Sequence, residues 1–158
     1  MKINAHSKAI WVALAIGLQF IPVGMSYAKA AAPTCKAKAL ATWEAKSTKW
    51  AGPCQKALAQ GHGALRSYSG GKIISIFYGE FRNGEPLIGV EEMGSNFKAG
   101  RVERGQFVKS DDRQTYIDAF KAAEKGALAA ESQFTAEGNK PAAKFYREKA
   151  TVLAAQMD

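Results

Sequence analysis

Ile73-Ile-Ser-Ile-Phe-Tyr-Gly-Glu-Phe-Arg-Asn-Gly-Glu-Pro-Leu-Ile-Gly-Val-Glu-Glu92 is the stretch on which the fold turns. Its first nine residues, Ile73 to Phe81, are rich in β-branched and aromatic side chains, which suit a pleated, half-buried strand. Asn83-Gly84 follows. Asn-Gly between apolar runs is the strongest short-range hairpin signal, because both residues tolerate the positive φ that a two-residue turn demands. Pro86 to Glu92 supplies a returning strand. Working outward, Ser69-Gly-Gly71 marks a second turn and Arg101 to Val108 a further short strand. Trp50 to Val108 is therefore predicted to be an antiparallel meander of hairpins. Before it, residues 31 to 49 are basic and alanine-rich with no helical or strand period, and read as an irregular lead-in tied down by Cys35 and Trp43.

From Ser110 the period becomes helical. Asp111 stands three residues before Gln114, a capping-box spacing. Tyr116, Phe120, Ala123, Ala127, Ala130 and Phe134 then recur at steps of four and three, one apolar seam along a long helix. Gly138-Asn139-Lys140-Pro141 ends it and begins another, with Gly138 past the helix end, Asn139 as N-cap and Pro141 in the first turn. Tyr146, Ala150, Leu153 and Met157 form a second seam, flanked by Phe145 and Val152. The short connection predicts an antiparallel helical hairpin packed on the sheet. Interleaved acids (Asp118, Glu124, Glu131, Glu137) argue against a membrane-active helix. The fold class is α+β, with a β-hairpin meander over residues 31–109 and a helical hairpin over 110–158.

Residues 1–30 have the layout of a secretory signal. Lys2 and Lys8 precede an apolar run from Ala9 to Ile21, and Pro22 and Gly24 break it. Small residues then flank two cleavage positions, after Ala28 or Ala30. The apolar run is shorter than the roughly 20 residues that cross a bilayer, so the mature chain is expected to lack a transmembrane segment. The bacterial periplasm is the expected compartment, with the exterior as the alternative. Of 158 residues, 22 are basic and 14 acidic, a net +8, and loss of Lys2, Lys8 and Lys29 with the signal leaves +5. Export removes nucleic acid as the partner for that charge. It also makes a disulfide between Cys35 and Cys54, the only two cysteines, the leading reading. The loop closed by that bridge, about 20 residues, constrains the unfolded chain by about 3 kcal/mol in the loop-entropy model.

Trp50, Gly52, Gly61 and Gly63 occupy positions 1, 3, 12 and 14 of a unit, and Phe77, Gly79 and Gly84 occupy positions 1, 3 and 8 of a second unit starting 27 residues later. This pattern resembles the MORN repeat, in which glycine-rich β-hairpins stack and an aromatic covers the glycine surface of its neighbour. Phe77-Tyr-Gly-Glu-Phe-Arg-Asn-Gly84 is the most typical stretch. Ala57 stands where the first unit should have its second glycine, Gly89 comes one residue late, and Val90 replaces the last glycine. Phe97, Gly100 and Gly105 suggest a third unit. Trp50-Ala-Gly-Pro-Cys54 followed by Gly61-His-Gly63 is similar to small exported bacterial proteins of MORN type. The resemblance implies a platform for interactions and names no ligand.

Catalytic chemistry is poorly supplied. His62 is the one histidine of the mature chain and lies between two glycines with no nucleophile or orienting carboxylate placed beside it. Glu91 and Glu92 point to opposite faces if they lie on a strand. No phosphate-loop or zinc spacing occurs, so neither a metal nor a cofactor is expected. The better candidates are for binding. Lys46, Lys49, Lys56, Arg66 and Lys72 fall in a stretch from Cys35 to Lys72 whose one acid is Glu44, interleaved with Trp43 and Tyr68. Long cations and flat rings suit protein or anionic polymer recognition. The function expected is non-enzymatic binding or scaffolding, with an envelope protein as partner or an anionic envelope surface as the alternative contact. Neutralisation of an envelope-acting enzyme, as an inhibitor or immunity-type protein, is the second reading. A periplasmic hydrolase is the third.

Overall fold

The computed structural model describes residues 34–45 and 47–157; the signal reading of residues 1–30 and the candidate Lys46 lie outside the described residues. The meander is present. Strands β1 (Ser47–Ala51), β2 (Cys54–Gln55), β3 (Leu58–Ala59), β4 (Gly61–Ser69), β5 (Lys72–Arg82), β6 (Glu85–Met93), β7 (Asn96–Glu103) and β8 (Gln106–Phe107) are followed by helices α1 (Arg113–Ala136) and α2 (Lys140–Ala154). Among the described residues, one antiparallel sheet has the order β1-β4-β5-β6-β7-β8, and β2 and β3 form a small separate hairpin. The fold is α+β, a β meander followed by a two-helix hairpin.

Turn chemistry explains the strand ends. Asn83 and Gly84 both have positive φ, 51° and 81°, as the Asn-Gly signal requires for a type I′ turn. Lys56-Ala57 and Arg104-Gly105 repeat the pattern, although Lys56, Ala57 and Arg104 are residues that reach it less readily. The predicted strand over Arg101 to Val108 is therefore two strands, β7 and β8, because Arg104-Gly105 turns the chain between them. The lead-in is also shorter than expected, since β1 begins at Ser47, where Ser47 to Ala51 pair with Tyr68 to Ala64 of β4. Residues 36–41 strap successive turns in order. Lys36 N–H donates to Ala57 O (2.9 Å), Lys38 N–H to Gly84 O (2.8 Å) and Ala41 N–H to Gly105 O (2.8 Å). Cys35 and Cys54 form the disulfide, with Cα atoms 5.8 Å apart. Leu40 of this strap is buried, and Trp43 packs into the same cluster.

Both faces of the sheet are covered. Alternation sends Leu65, Phe77, Phe81 and Val102 to one face, where they pack with Leu40, Trp43, Trp50 and Phe107. Ala51, Ala64, Ile76, Tyr78 and Val90 go to the other face. They meet Phe120, Ala123, Ala127, Ala130 and Phe134 of α1, and Ala143, Tyr146, Ala150 and Leu153 of α2. The seams match the expected ones except at Tyr116, which is 45% exposed. Asp112, not Asp111, caps α1. Its carboxylate accepts from Gln114 N–H (3.0 Å) and Thr115 N–H (3.1 Å), which an extended backbone at Asp112 permits. Asn139 caps α2 through Ala142 N–H at 3.2 Å.

Gly63, Gly79, Gly89 and Gly100 lie in register across β4 to β7, so a glycine row crosses the sheet. On the strap side the rings of Trp50 and Phe77 lie over it. A Cβ on Gly63 would come within 2.5 Å of Trp50, and one on Gly89 within 2.7 Å of Phe77. On the helix side Gly126 of α1 lies against the same row, its missing Cβ directed at Gly63 O and Gly79 N. Close backbone approach from both sides is what these glycines supply. No described helix is long and apolar enough to cross a membrane.

Candidate functional site

Strand β1 is the terminal strand of the sheet, and its pairing with β4 places Lys49 directly opposite Arg66. Tyr68 comes two residues beyond Arg66 on the same strand. The Lys49 ammonium lies 5.5 Å from the centre of the Tyr68 ring and the Arg66 guanidinium 5.9 Å from it. Arg66 is also 5.1 Å from the ring of Phe134 on α1. Half-buried and desolvated by two rings, it is held by cation–π attraction. Neither Lys49 nor Arg66 has a carboxylate within ion-pair distance among the described residues. Among the described residues the buried Arg66 Nε has no hydrogen-bond partner, and neither has the hydroxyl of buried Tyr146. Burial pushes the Tyr146 phenol up to about 12, partly offset by the Arg66 charge.

A cleft of about 260 Å³ opens here between β1 and the end of α1, lined by Thr48, Lys49, Arg66, Gln133, Phe134 and Glu137. Glu137, the acid in this lining, accepts from Gln133 Nε2 at 2.8 Å, and Gln133 Oε1 in turn accepts Gly52 N–H at 2.7 Å. Those bonds pin helix to edge strand and leave the cleft with two cations, an aromatic wall and a restrained carboxylate.

Of the candidate binding residues, Lys49, Arg66 and Tyr68 are thus brought together. Trp43 is not among them, because it lies on the opposite, strap-covered face. There its indole Nε1–H donates to Glu91, which also accepts from Ser75 Oγ at 3.0 Å. The Trp43 ring serves the second core. Lys56 is exposed in the β2–β3 turn and Lys72 is exposed at the start of β5. No signal in the chain marks Phe134 and Gln133 as site residues: Phe134 reads as core seam, and only the register of α1 over β1 turns them to the cleft.

Two carboxylates are buried where sequence alone suggests exposure. Glu91 faces the strap. Glu92, its neighbour, faces the helices, pairs with Lys149 of α2 and accepts from Tyr78 OH at 3.0 Å. The two do point to opposite faces and serve separate networks. Burial, reinforced by the Glu92 charge, drives the Tyr78 phenol far above its ordinary value. His62 lies across from Glu80 on β5, and partial burial holds its imidazole below the usual range, against the opposing pull of Glu80. Among the described residues no group of three or more His, Cys, Asp or Glu could hold a metal ion. Comparison with family models, with curated proteins and with solved structures finds no match.

Proposed function

We propose that this chain is a non-enzymatic exported binding protein that holds an envelope protein at the basic, aromatic margin of its sheet, after residues 1–30 act as a secretory signal. The carrying observation is the convergence of Lys49, Arg66 and Tyr68 at the edge strand, with neither cation in an ion pair among the described residues. Desolvated cations beside rings favour a partner of opposite charge and add specificity to its recognition. The Cys35–Cys54 disulfide is compatible with an oxidising compartment. The MORN-like reading draws support from spacing. Gly52, Gly79 and Gly100 each stand five residues before the second residue of a turn with positive φ, namely Ala57, Gly84 and Gly105.

The test is retention of a partner from periplasmic extract by the purified protein, compared with Lys49→Glu and Lys49→Glu/Arg66→Gln variants whose folding is checked by circular dichroism. Retention of one partner by the native protein, weakened progressively in the variants, is expected. Undiminished capture by the folded double variant would overturn this surface as the contact.

A further inference from the structure

The cationic cleft is one end of a longer groove. A second cleft, of about 430 Å³, is lined by Trp50, Gly52, Pro53, the Cys35–Cys54 bridge, Ala129 and Ala136, and shares Cys35, Trp50 and Gln133 with the first. The two together run between β1 and α1, from Cys54 and Ala129 at the apolar end to Thr48 and Glu137 at the cationic end. The apolar end is walled by an indole, a proline ring, a disulfide and alanines. The other presents Lys49 and Arg66.

Beside this groove the terminal strand has no strand paired to its outer side in the described sheet. Alternate backbone N–H and C=O groups of such a strand point outward and form a ready template for another extended segment. Apolar pocket, two cations outside any ion pair among the described residues, and strand template therefore share one short length of chain.

We propose that the groove takes an extended, acidic segment of a protein partner, which adds as a strand beside β1. It would place an apolar side chain beside Pro53 and the disulfide, and a carboxylate on Lys49 and Arg66. This rests on the reading of the same margin as a binding surface, and specifies what binds there. Spacing follows from strand geometry. Side chains on one face repeat every two residues at about 3.3 Å per residue. The lining runs from Gly52–Pro53 to Thr48–Lys49, so the acid and the apolar residue stand about four positions apart on one face of the added strand. An anionic lipid surface or polyanion could use the two cations, but neither the backbone template nor the enclosed apolar end. Charge complementarity together with both of those features favours the peptide.

The experiment uses the full-length gene product purified after export from its host and a fluorescein-labelled heptapeptide, Ser-Phe-Thr-Val-Thr-Asp-Ser, whose order sets Phe beside Pro53 and Asp beside Lys49 when it pairs antiparallel to β1. Three controls accompany it: the same peptide with Asn for Asp, the same peptide N-methylated at alternate residues, and phosphatidylglycerol vesicles. Fluorescence anisotropy reads affinity, and amide hydrogen exchange reads protection over residues 47–51. The acidic peptide is expected to bind about tenfold more tightly than the Asn peptide, and N-methylation on the pairing edge is expected to abolish binding. Peptide should slow exchange in β1, and Lys49→Gln should remove most of the preference for Asp.

Equal binding of the Asp and Asn peptides, undiminished binding of both N-methylated registers, or no binding at about 1 mM would each overturn the proposal. So would vesicle binding that depends on Lys49 in the absence of peptide binding. Protection of the outward β1 amides in the protein alone, unchanged by peptide, would show that this edge is not open, and would overturn it too. If an envelope partner is retained and lost on Lys49→Glu while no peptide binds, strand addition fails and the broader binding function stands.

Discussion

Replacing Gly126 with alanine separates local propensity from tertiary constraint by the sign of its effect. Gly126 lies in the middle of α1, where alanine is favoured over glycine by about 1 kcal/mol. Helix propensity alone therefore predicts a more stable protein. The packing predicts the reverse. A Cβ at Gly126 would stand 2.5 Å from Gly63 O and 2.8 Å from Gly79 N, against the 3.4 Å at which ordinary contact begins. The opposing atoms are backbone, held by pairing on both sides and backed by the Trp50 and Phe77 rings, so no side chain can swing aside. The helix must lift by about 0.9 Å, which would open the alanine interface along the seam on either side. Overpacking of this kind costs about 1–3 kcal/mol, and here it outweighs the propensity gain, so we expect a net loss of about 1–2 kcal/mol. Urea unfolding at constant m-value measures it directly, and a fall in Tm of roughly 3–8 °C should accompany it. Ser132→Ala, at an exposed position of the same helix, is the reference and should gain a few tenths of a kcal/mol. A Gly126→Ala protein as stable as the native one, or more so, would refute the close approach of α1 to the glycine row.

Two further predictions concern the buried polar groups. Trp43→Phe keeps the ring in the second core but leaves buried Glu91 without its indole donor, and should cost about 1.5–3 kcal/mol in urea unfolding; no loss would mean that the indole bond contributes nothing to holding the strap. Tyr146 and Tyr78 keep their protons in the folded state well above the ordinary phenol value of about 10. The unfolded chain releases those protons first, so the contribution of these two tyrosines to stability is level below pH about 10 and falls as pH rises towards about 12, each adding up to about 1.4 kcal/mol per pH unit. Tyr146→Phe should reduce that slope between pH 10 and 12. Because the hydroxyl it removes has no partner among the described residues, it should also leave stability at pH 7 unchanged or raised by up to about 1 kcal/mol. An alkaline slope identical to the native one would refute the protonated, buried state of this residue.

Much of the architecture was legible because its signals are local. Asn83-Gly84, the β-branched run before it, the helical seams and the Gly138-Asn139-Lys140-Pro141 junction each act within one or two turns of chain, and the elements formed as expected. Misses arose where a signal was local but ambiguous. Asp111 and Asp112 are adjacent, and only the extended backbone at Asp112 selects the cap. Arg104-Gly105 turns the chain with arginine at positive φ, a residue that sequence reading does not assign to a turn. The candidate site was legible in part. Lys49, Arg66 and Tyr68 share a basic, aromatic stretch, but so do Trp43, Lys56 and Lys72, and composition cannot rank them. Trp43 belongs to the strap side because the sheet is covered on both faces, and nothing in the spacing of residues 35–45 states what that segment lies against.

By itself the sequence determined the α+β class, the order of hairpins and helices, and a pair of cysteines near enough in the chain to bridge. Each of these follows from short-range preferences of backbone and side-chain pattern. Only the tertiary structure decided which cations meet, which carboxylates are buried, and that α1 approaches the strands at Gly126 closely enough to form a groove with β1. Those features depend on register between segments far apart in the chain, such as Lys49 with Arg66, 17 residues on, and Gly52 with Gln133, 81 residues on. Such pairings are set by how whole faces pack together, a long-range effect that no local window of sequence carries.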